Sequence, residues 1–283
     1  MTHPFQLVDV FGDGPFTGNP LAVVANAGDL DTELMQKITR WLNLSETTFL
    51  LPPTDPGADY RVRIFTLDRE LPFAGHPTLG TCHAWLSAGG APKDPGVIVQ
   101  ECGAGLIRVK RTGSRLAFAA PPILRSGAVD EAKLAEIAAV LRIDRAAIVE
   151  AQWVDNGPGW VGVRLASAEA VLALDPVRSH PSRLEIGVVG HYPAGAPFAY
   201  EIRAIFSDPY GALIEDPVTG SLNASMAQWL TETGQVTAPY IASQGTRLGR
   251  AGRVHIERDS AGTVWVGGAT VSLFSGDDSG ARA

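Results

Sequence analysis

Alternation of apolar and polar positions marks most of this chain as short strands. The run Tyr60-Arg61-Val62-Arg63-Ile64-Phe65 sets Tyr60, Val62 and Ile64 on one face and Arg61 and Arg63 on the other. Similar runs predict strands at 5–11, 21–25, 47–51, 97–101, 106–111 and 115–119, and again at 147–154, 160–165, 185–189 and 199–206. Two hairpin strands, RVHIER and TVWVGG, follow. Apolar residues at helical spacing predict an amphipathic helix that opens at Asp31 as N-cap and buries Leu34, Ile38, Trp41 and Leu42. A second such helix, with Leu134, Ile137, Ala138 and Leu141, opens a half that repeats the order of the first.

Two other helical stretches carry no charged face. No Asp, Glu, Lys or Arg occurs between positions 71 and 92, or between 217 and 231. Surface helices need a polar stripe, so both must be buried all round, which asks for a sheet wrapped around each. The two stretches superpose with Thr78-Leu79 on Ser221-Leu222 and Trp85-Leu86 on Trp229-Leu230, as a duplication would leave them. The first N–H groups of a helix point outward and favour anions, so each start is a candidate half-site, and the two could face each other across a cleft.

Length agrees with a duplication, since 283 residues suit two domains of roughly 120 to 150 residues. Consecutive prolines in AAPPILRSG mark the linker, which gives domains at 1–118 and 119–263, and a polar, Gly-rich flexible tail at 276–283. A net charge of −7 without any long basic run argues against nucleic acid and anionic membrane and for a small-molecule partner. The uncharged helices are too short to span a bilayer, and the N-terminus shows no export signal, which points to the cytoplasm. Cys82 and Cys102 have no metal or redox spacing, and no nucleotide or metal motif is present.

Candidate chemistry gathers at a few positions. Glu46 is the sole ionisable side chain between 43 and 54, at a helix-to-strand turn where partial burial would move its pKa toward the range useful for proton transfer. A solvated strand-start Glu is the plain alternative. His76, before Pro77, is a candidate cap at the mouth of the first buried helix. Asp216 stands before Pro217 near the second, where an ordinary N-cap is the alternative. Ser221 with Gly220 could grip a carboxylate, and Asn19 could lend a polar contact from its turn. Arg247, Arg250 and Arg253 fit a solvated hairpin better than an anion clamp.

The ordered set FTGNPLAVV, LSETTFL, PFAGHPTLG, EDPVTGS and SQGTRLGRAGRV closely resembles the phenazine-biosynthesis-like (PhzF) isomerase family, which shares its fold with diaminopimelate epimerase. The resemblance implies an α+β fold of two similar domains, each a barrel-like, mostly antiparallel sheet wrapped around a buried central helix. It allows the last strand, 264–275, to return to the first domain. It implies a homodimer, no cofactor, no metal, and a small carboxylate-bearing substrate. By the same similarity Glu46 matches the general acid/base and His76 and Asp216 its catalytic supports. Asn19, Ser45, Gly75, Thr219, Gly220 and Ser221 match substrate-binding positions. Racemases of this fold use a cysteine at each helix start, and here those starts hold Ala74-Gly75-His76 and the 216–220 stretch. A proton shift on one face needs only one carboxylate, so isomerisation is the first expectation. Epimerisation without the cysteine pair and an inactive binding protein remain the alternatives.

Overall fold

The computed structural model describes residues 3–277. They form two compact units, one running to Ala119 and resuming at Gly267, the other running from Ala120 to Val266.

In the first unit, strand Pro4–Val10 lies between Thr270–Asp277 and Asn19–Val24, antiparallel to both. Asn19–Val24 then pairs in parallel with Thr47–Leu51, and helix α1 (Thr32–Leu42) supplies the crossover that a parallel step requires. Tyr60–Phe65 follows antiparallel and joins Ile98–Cys102 by a second parallel step, this time across helix α2 (Gly75–Ser87). Gly105–Thr112 and Arg115–Ala119 complete the sheet as a meander. Helix α2 touches seven of these strands, from Thr270–Asp277 at one edge to Arg115–Ala119 at the other. Its first two turns are fully buried, which is why this stretch carries no charge. Buried Gln100 donates to the Thr78 hydroxyl at 2.9 Å and pins the first turn to the sheet.

The second unit opens with strand Arg125–Ala128 and helix α3 (Glu131–Leu141) and then repeats the same succession of pairings. Arg125–Ala128, Glu150–Asp155 and Val161–Arg164 are antiparallel neighbours. Val161–Arg164 steps in parallel to Glu185–His191 across helix α4 (Ala168–Ala173). Tyr200–Ser207 follows, then a parallel step to Tyr240–Gln244 across helix α5 (Gly220–Glu232), then Gly252–Arg258. A short side strand sits before each central helix, Glu70–Leu71 in one unit and Leu213–Asp216 in the other. The repeat seen in the uncharged helices therefore extends to the order of the strands. The counterpart of α1 is α4, too short at six residues to show periodicity, whereas α3 stands outside the repeated succession. Helix α3 instead packs Leu134, Ile137 and Leu141 into a core with Val163, Ile186, Val188 and Ile205.

Two expectations need correction. Helix α1 is capped by Asp31, whose carboxylate accepts the Leu34 N–H at 2.8 Å, but it buries Met35 and Thr39 rather than Leu34 and Trp41. Trp41 is 82% exposed. The stripe that meets Phe49 and Phe65 includes Met35 and Ile38, and Thr39 can be buried because its hydroxyl donates to the Met35 carbonyl at 2.9 Å. The polar stretch from Ser275 stays in the sheet as far as Asp277, paired with Pro4, Phe5 and Gln6, since ladder hydrogen bonds need no apolar side chain. The rest of the expected tail, 278–283, lies outside the described residues.

Close approach makes one glycine indispensable. A Cβ on Gly190 would lie 2.2 Å from the Ser167 carbonyl oxygen and 2.4 Å from its carbon, both backbone atoms. Gly190→Ala must push α4 off the sheet, so we expect a loss of about 1–3 kcal/mol. A lower urea midpoint at unchanged slope would register it.

Candidate active site

Parallel pairing brings the starts of Asn19–Val24 and Thr47–Leu51 to the same end of the first sheet. Asn19 opens the first strand, and Glu46 immediately precedes the second. Thr48 anchors the latter strand to the central helix by accepting from the Thr81 hydroxyl at 2.8 Å. The first turn of α2 lies at the same end, with Gly75 as its first residue and Ala74 as N-cap. His76 is therefore the second residue of the helix and not its cap, and Pro77 is the third. Because Pro77 has no N–H, the outward-pointing donors of this turn are Gly75 and His76.

Three predicted residues come together there. His76 Nε2 lies 3.5 Å from Glu46 Oε2, and Asn19 Nδ2 lies 3.4 Å from His76 Nδ1. Asn19 and His76 are buried, and the Glu46 side chain retains 17% exposure. Ser45 is half-buried in the turn before Glu46 and is not drawn into this set. Burial pushes the His76 imidazole down to about 3. The ring is neutral at ordinary pH, so Glu46 faces a hydrogen-bonding imidazole and not a cation.

That shift has a consequence for stability. The folded state holds His76 neutral, while the unfolded chain protonates it near 6.5. Its contribution is complete above that value and is lost as pH falls toward about 3, because the unfolded state takes the proton first. Burial lowers His83 and His191 as well, which adds in the same direction. Replacing His76 with Asn should remove up to about 1.4 kcal/mol per pH unit from the acid-side slope of stability, measured by denaturation at a series of pH values.

The second unit holds its own set. Asp216 ends its side strand, and Thr219, not Asp216, is the N-cap residue of α5, with Gly220 as the first helical residue. The Thr219 hydroxyl donates to Asp216 Oδ2 at 2.6 Å. Buried Gln244 fixes both: its amide nitrogen donates to the Asp216 carbonyl at 3.2 Å and the Thr219 hydroxyl at 3.0 Å, and its oxygen accepts the Thr219 N–H at 3.0 Å. Asn223 also donates to that oxygen, at 2.7 Å. Ser221 Oγ accepts from the Trp160 indole at 3.2 Å, and Asn156 donates to the Ser221 carbonyl at 2.8 Å. Gln244, Asn223, Asn156 and Trp160 escaped the sequence reading. The one hint was Gln244, the first residue after Ser243 in the quoted SQGTRLGRAGRV run. Of the three arginines in that run, Arg253 is no solvated residue: it donates to Ser243 Oγ at 3.1 Å and stacks 4.1 Å over Phe198.

Among the described residues no cluster of three or more His, Cys, Asp or Glu side chains is placed to hold a metal ion. No described helix is long and apolar enough to cross a membrane. Cys82 and Cys102 are free thiols, and burial pushes Cys82 up to about 12.

The family model for phenazine biosynthesis-like proteins matches residues 8–276. The chain belongs to this family. It is accordingly an enzyme of the PhzF isomerase and epimerase group, with the α+β fold shared by those proteins and the proline epimerases. The chain is 36% identical to trans-2,3-dihydro-3-hydroxyanthranilate isomerase of Pseudomonas fluorescens, over 88% of this chain and 87% of that protein. It is 33% identical to antisense-enhancing sequence 1 of Schizosaccharomyces pombe, over 97% and 98% of the two chains. A solved family structure, described as a predicted epimerase from Pseudomonas aeruginosa, superposes with a TM-score of 0.79 at 27% identity, covering 97% of this chain and 98% of that one.

Proposed function

We propose that this chain is a cofactor-independent isomerase that moves a proton along a small, unsaturated, carboxylate-bearing amino or hydroxy acid. Glu46 takes the proton from one carbon and returns it to another, so no net proton is gained or lost. The observation that carries this reading is the carboxylate of Glu46 set 3.5 Å from a buried, neutral imidazole at the first turn of a charge-free helix. Removing a proton from carbon leaves negative charge on the substrate, and a neutral ring can donate to it without giving up a proton of its own. The helix start adds the Gly75 and His76 N–H groups, and such a dipole end is worth roughly 0.3–2 kcal/mol.

Asp216, Thr219, Gly220 and Ser221 serve in this reading as substrate-binding groups. Asp216 suits a substrate ammonium or hydroxyl, and the amides of Gly220 and Ser221 suit a carboxylate. Ser45 lends a further polar contact beside Glu46. The proposal extends to a homodimer, as the family resemblance implies, and to the cytoplasm, as the N-terminal sequence suggests.

The compound named for the Pseudomonas fluorescens relative, a cyclic unsaturated hydroxy amino acid, is the first probe. Incubated with this chain in heavy water, it or a close analogue should be rearranged with deuterium placed on carbon, as read by proton NMR. A panel of such acids left unlabelled and unchanged would overturn the reading. Epimerisation is the second reading, favoured by the solved relative described as a predicted epimerase. Deuterium at an inverted stereocentre with the double bonds unmoved would select it. Racemisation by a cysteine pair has no support, since neither helix start holds a cysteine and the buried Cys82 thiol does not ionise near neutral pH.

A further inference from the structure

Asp9 lies outside every motif that the resemblance uses, yet its carboxylate is almost wholly buried, 3% exposed, near the end of strand Pro4–Val10. Both of its oxygens are occupied by a loop that leads into the site. Oδ2 accepts the Thr17 N–H at 3.0 Å and Oδ1 accepts the Gly18 N–H at 2.9 Å. The next residue in the chain is Asn19. The same loop is closed on itself by the Thr17 hydroxyl, which donates to the Gly14 carbonyl at 2.7 Å and accepts the Gly14 N–H at 3.1 Å.

This loop is held under constraint. Phe11 and Phe16 both adopt left-handed backbone, at φ 68° and 66°, which costs energy in residues bearing a Cβ. A Cβ on Gly18 would lie 2.1 Å from the Val10 carbonyl oxygen and 2.6 Å from Asp9 Oδ1, so the chain there passes as close to Asp9 as a glycine allows. Two N–H groups on one buried carboxylate form the strong, directional kind of contact able to hold such a turn.

We propose that Asp9 is a positioning residue for the His76–Glu46 pair: by clamping Thr17 and Gly18 it aims the Asn19 carboxamide at His76 and so fixes the ring tautomer. The Asn19 amide nitrogen can only donate, so His76 Nδ1, 3.4 Å away, must accept. A neutral ring that accepts at Nδ1 carries its proton on Nε2, the atom that faces Glu46. If Asn19 swings away, the ring is free to move its proton to Nδ1 and turn a bare nitrogen lone pair toward the carboxylate. The value of this tautomer to catalysis rests on the reading of Glu46 as the base; the tautomer itself does not.

Nitrogen-15 NMR of the histidine rings in the full chain tests it. In the unaltered protein His76 should show the pattern of a neutral ring protonated at Nε2. Asp9→Asn, which sets an NH2 group against one of the two backbone N–H donors, should keep the fold and lose the single-tautomer pattern. Asp9→Ser, whose hydroxyl can still accept one N–H, should give the same loss and serves where Asp9→Asn does not fold. A purely structural role would lower stability and leave the tautomer alone. A ring protonated at Nδ1 in the unaltered protein, a tautomer unmoved in a folded Asp9 variant, or failure of both variants to fold would each overturn the positioning role. Activity retained by Glu46→Gln beside the expected tautomer would instead overturn the assignment of the base.

Discussion

Glu46→Gln should lower turnover by about 10²- to 10⁴-fold while leaving substrate affinity and stability nearly unchanged. The amide keeps the shape and the hydrogen-bonding reach of the carboxylate but cannot take a proton, and loss of a general acid/base costs a factor of that size. The neighbour makes the expectation sharper. With His76 held neutral by burial, an imidazolium is not available to replace the missing acid, and burial keeps the Cys82 thiol protonated. The structural cost should be small because the Glu46 side chain remains partly exposed. Steady-state kinetics on the rearranged acid, with a urea denaturation curve as control, reads both halves of the prediction. Turnover within about tenfold of the unaltered chain would assign the base elsewhere.

Arg203→Ala should be the most damaging single change to stability, at about 3–5 kcal/mol. Arg203 is 4% exposed and its guanidinium is fully engaged. Nε and Nη2 donate to the Glu215 carboxylate at 3.1 and 2.7 Å, and Nη1 donates to the Val171 and Leu174 carbonyls at 3.1 and 2.8 Å. Those carbonyls lie at the C-terminal end of α4, where a cation is favoured, and the Val171 carbonyl accepts the Leu174 N–H at 3.3 Å as well. Truncation leaves the Glu215 carboxylate without its cation and takes the Arg203 donor from both carbonyls, of which Val171 keeps only the Leu174 N–H, against a total stability of about 5–15 kcal/mol for a typical domain. The pair taken together behaves differently. Arg203→Met with Glu215→Leu removes both ions, so the double variant should recover most of the loss in a urea denaturation series. A double variant as unstable as Arg203→Ala would show that the carbonyl contacts outweigh the ion pair.

The outline of this fold was legible because burial leaves a mark in composition. Helix α2 carries no Asp, Glu, Lys or Arg and α5 none before its last residue, Glu232, since each is buried along most of its length, and YRVRIF alternates because one face of its strand is dry. Elements held by the backbone alone left no such mark. Thr270–Asp277 continues through Ser275, Gly276 and Asp277 on ladder hydrogen bonds, and α4 is too brief to show a period. The cap of helix α1 is legible in Asp31 but its buried face is not, since Thr39 satisfies its own hydroxyl and takes a core place where apolar spacing predicts a hydrophobic residue. The candidate site divides the same way. Glu46 stood out as a lone acid and His76 by its place beside a charge-free run. Asp9 in the first unit, and Gln244, Asn156 and Trp160 in the second, brace the candidate residues of their own unit from other strands and loops, and only Gln244, in the SQGTRLGRAGRV run, is hinted at by the sequence.

The proton relay by Glu46 is tested most directly by incubating a bacterial metabolite extract in heavy water with the intact chain and, separately, with Glu46→Gln, and following small carboxylic acids by mass spectrometry and NMR. The account predicts carbon-bound deuterium in at least one such acid with the intact chain, appearing at least about 10²-fold more slowly with the variant. Equal labelling by the two proteins would contradict it.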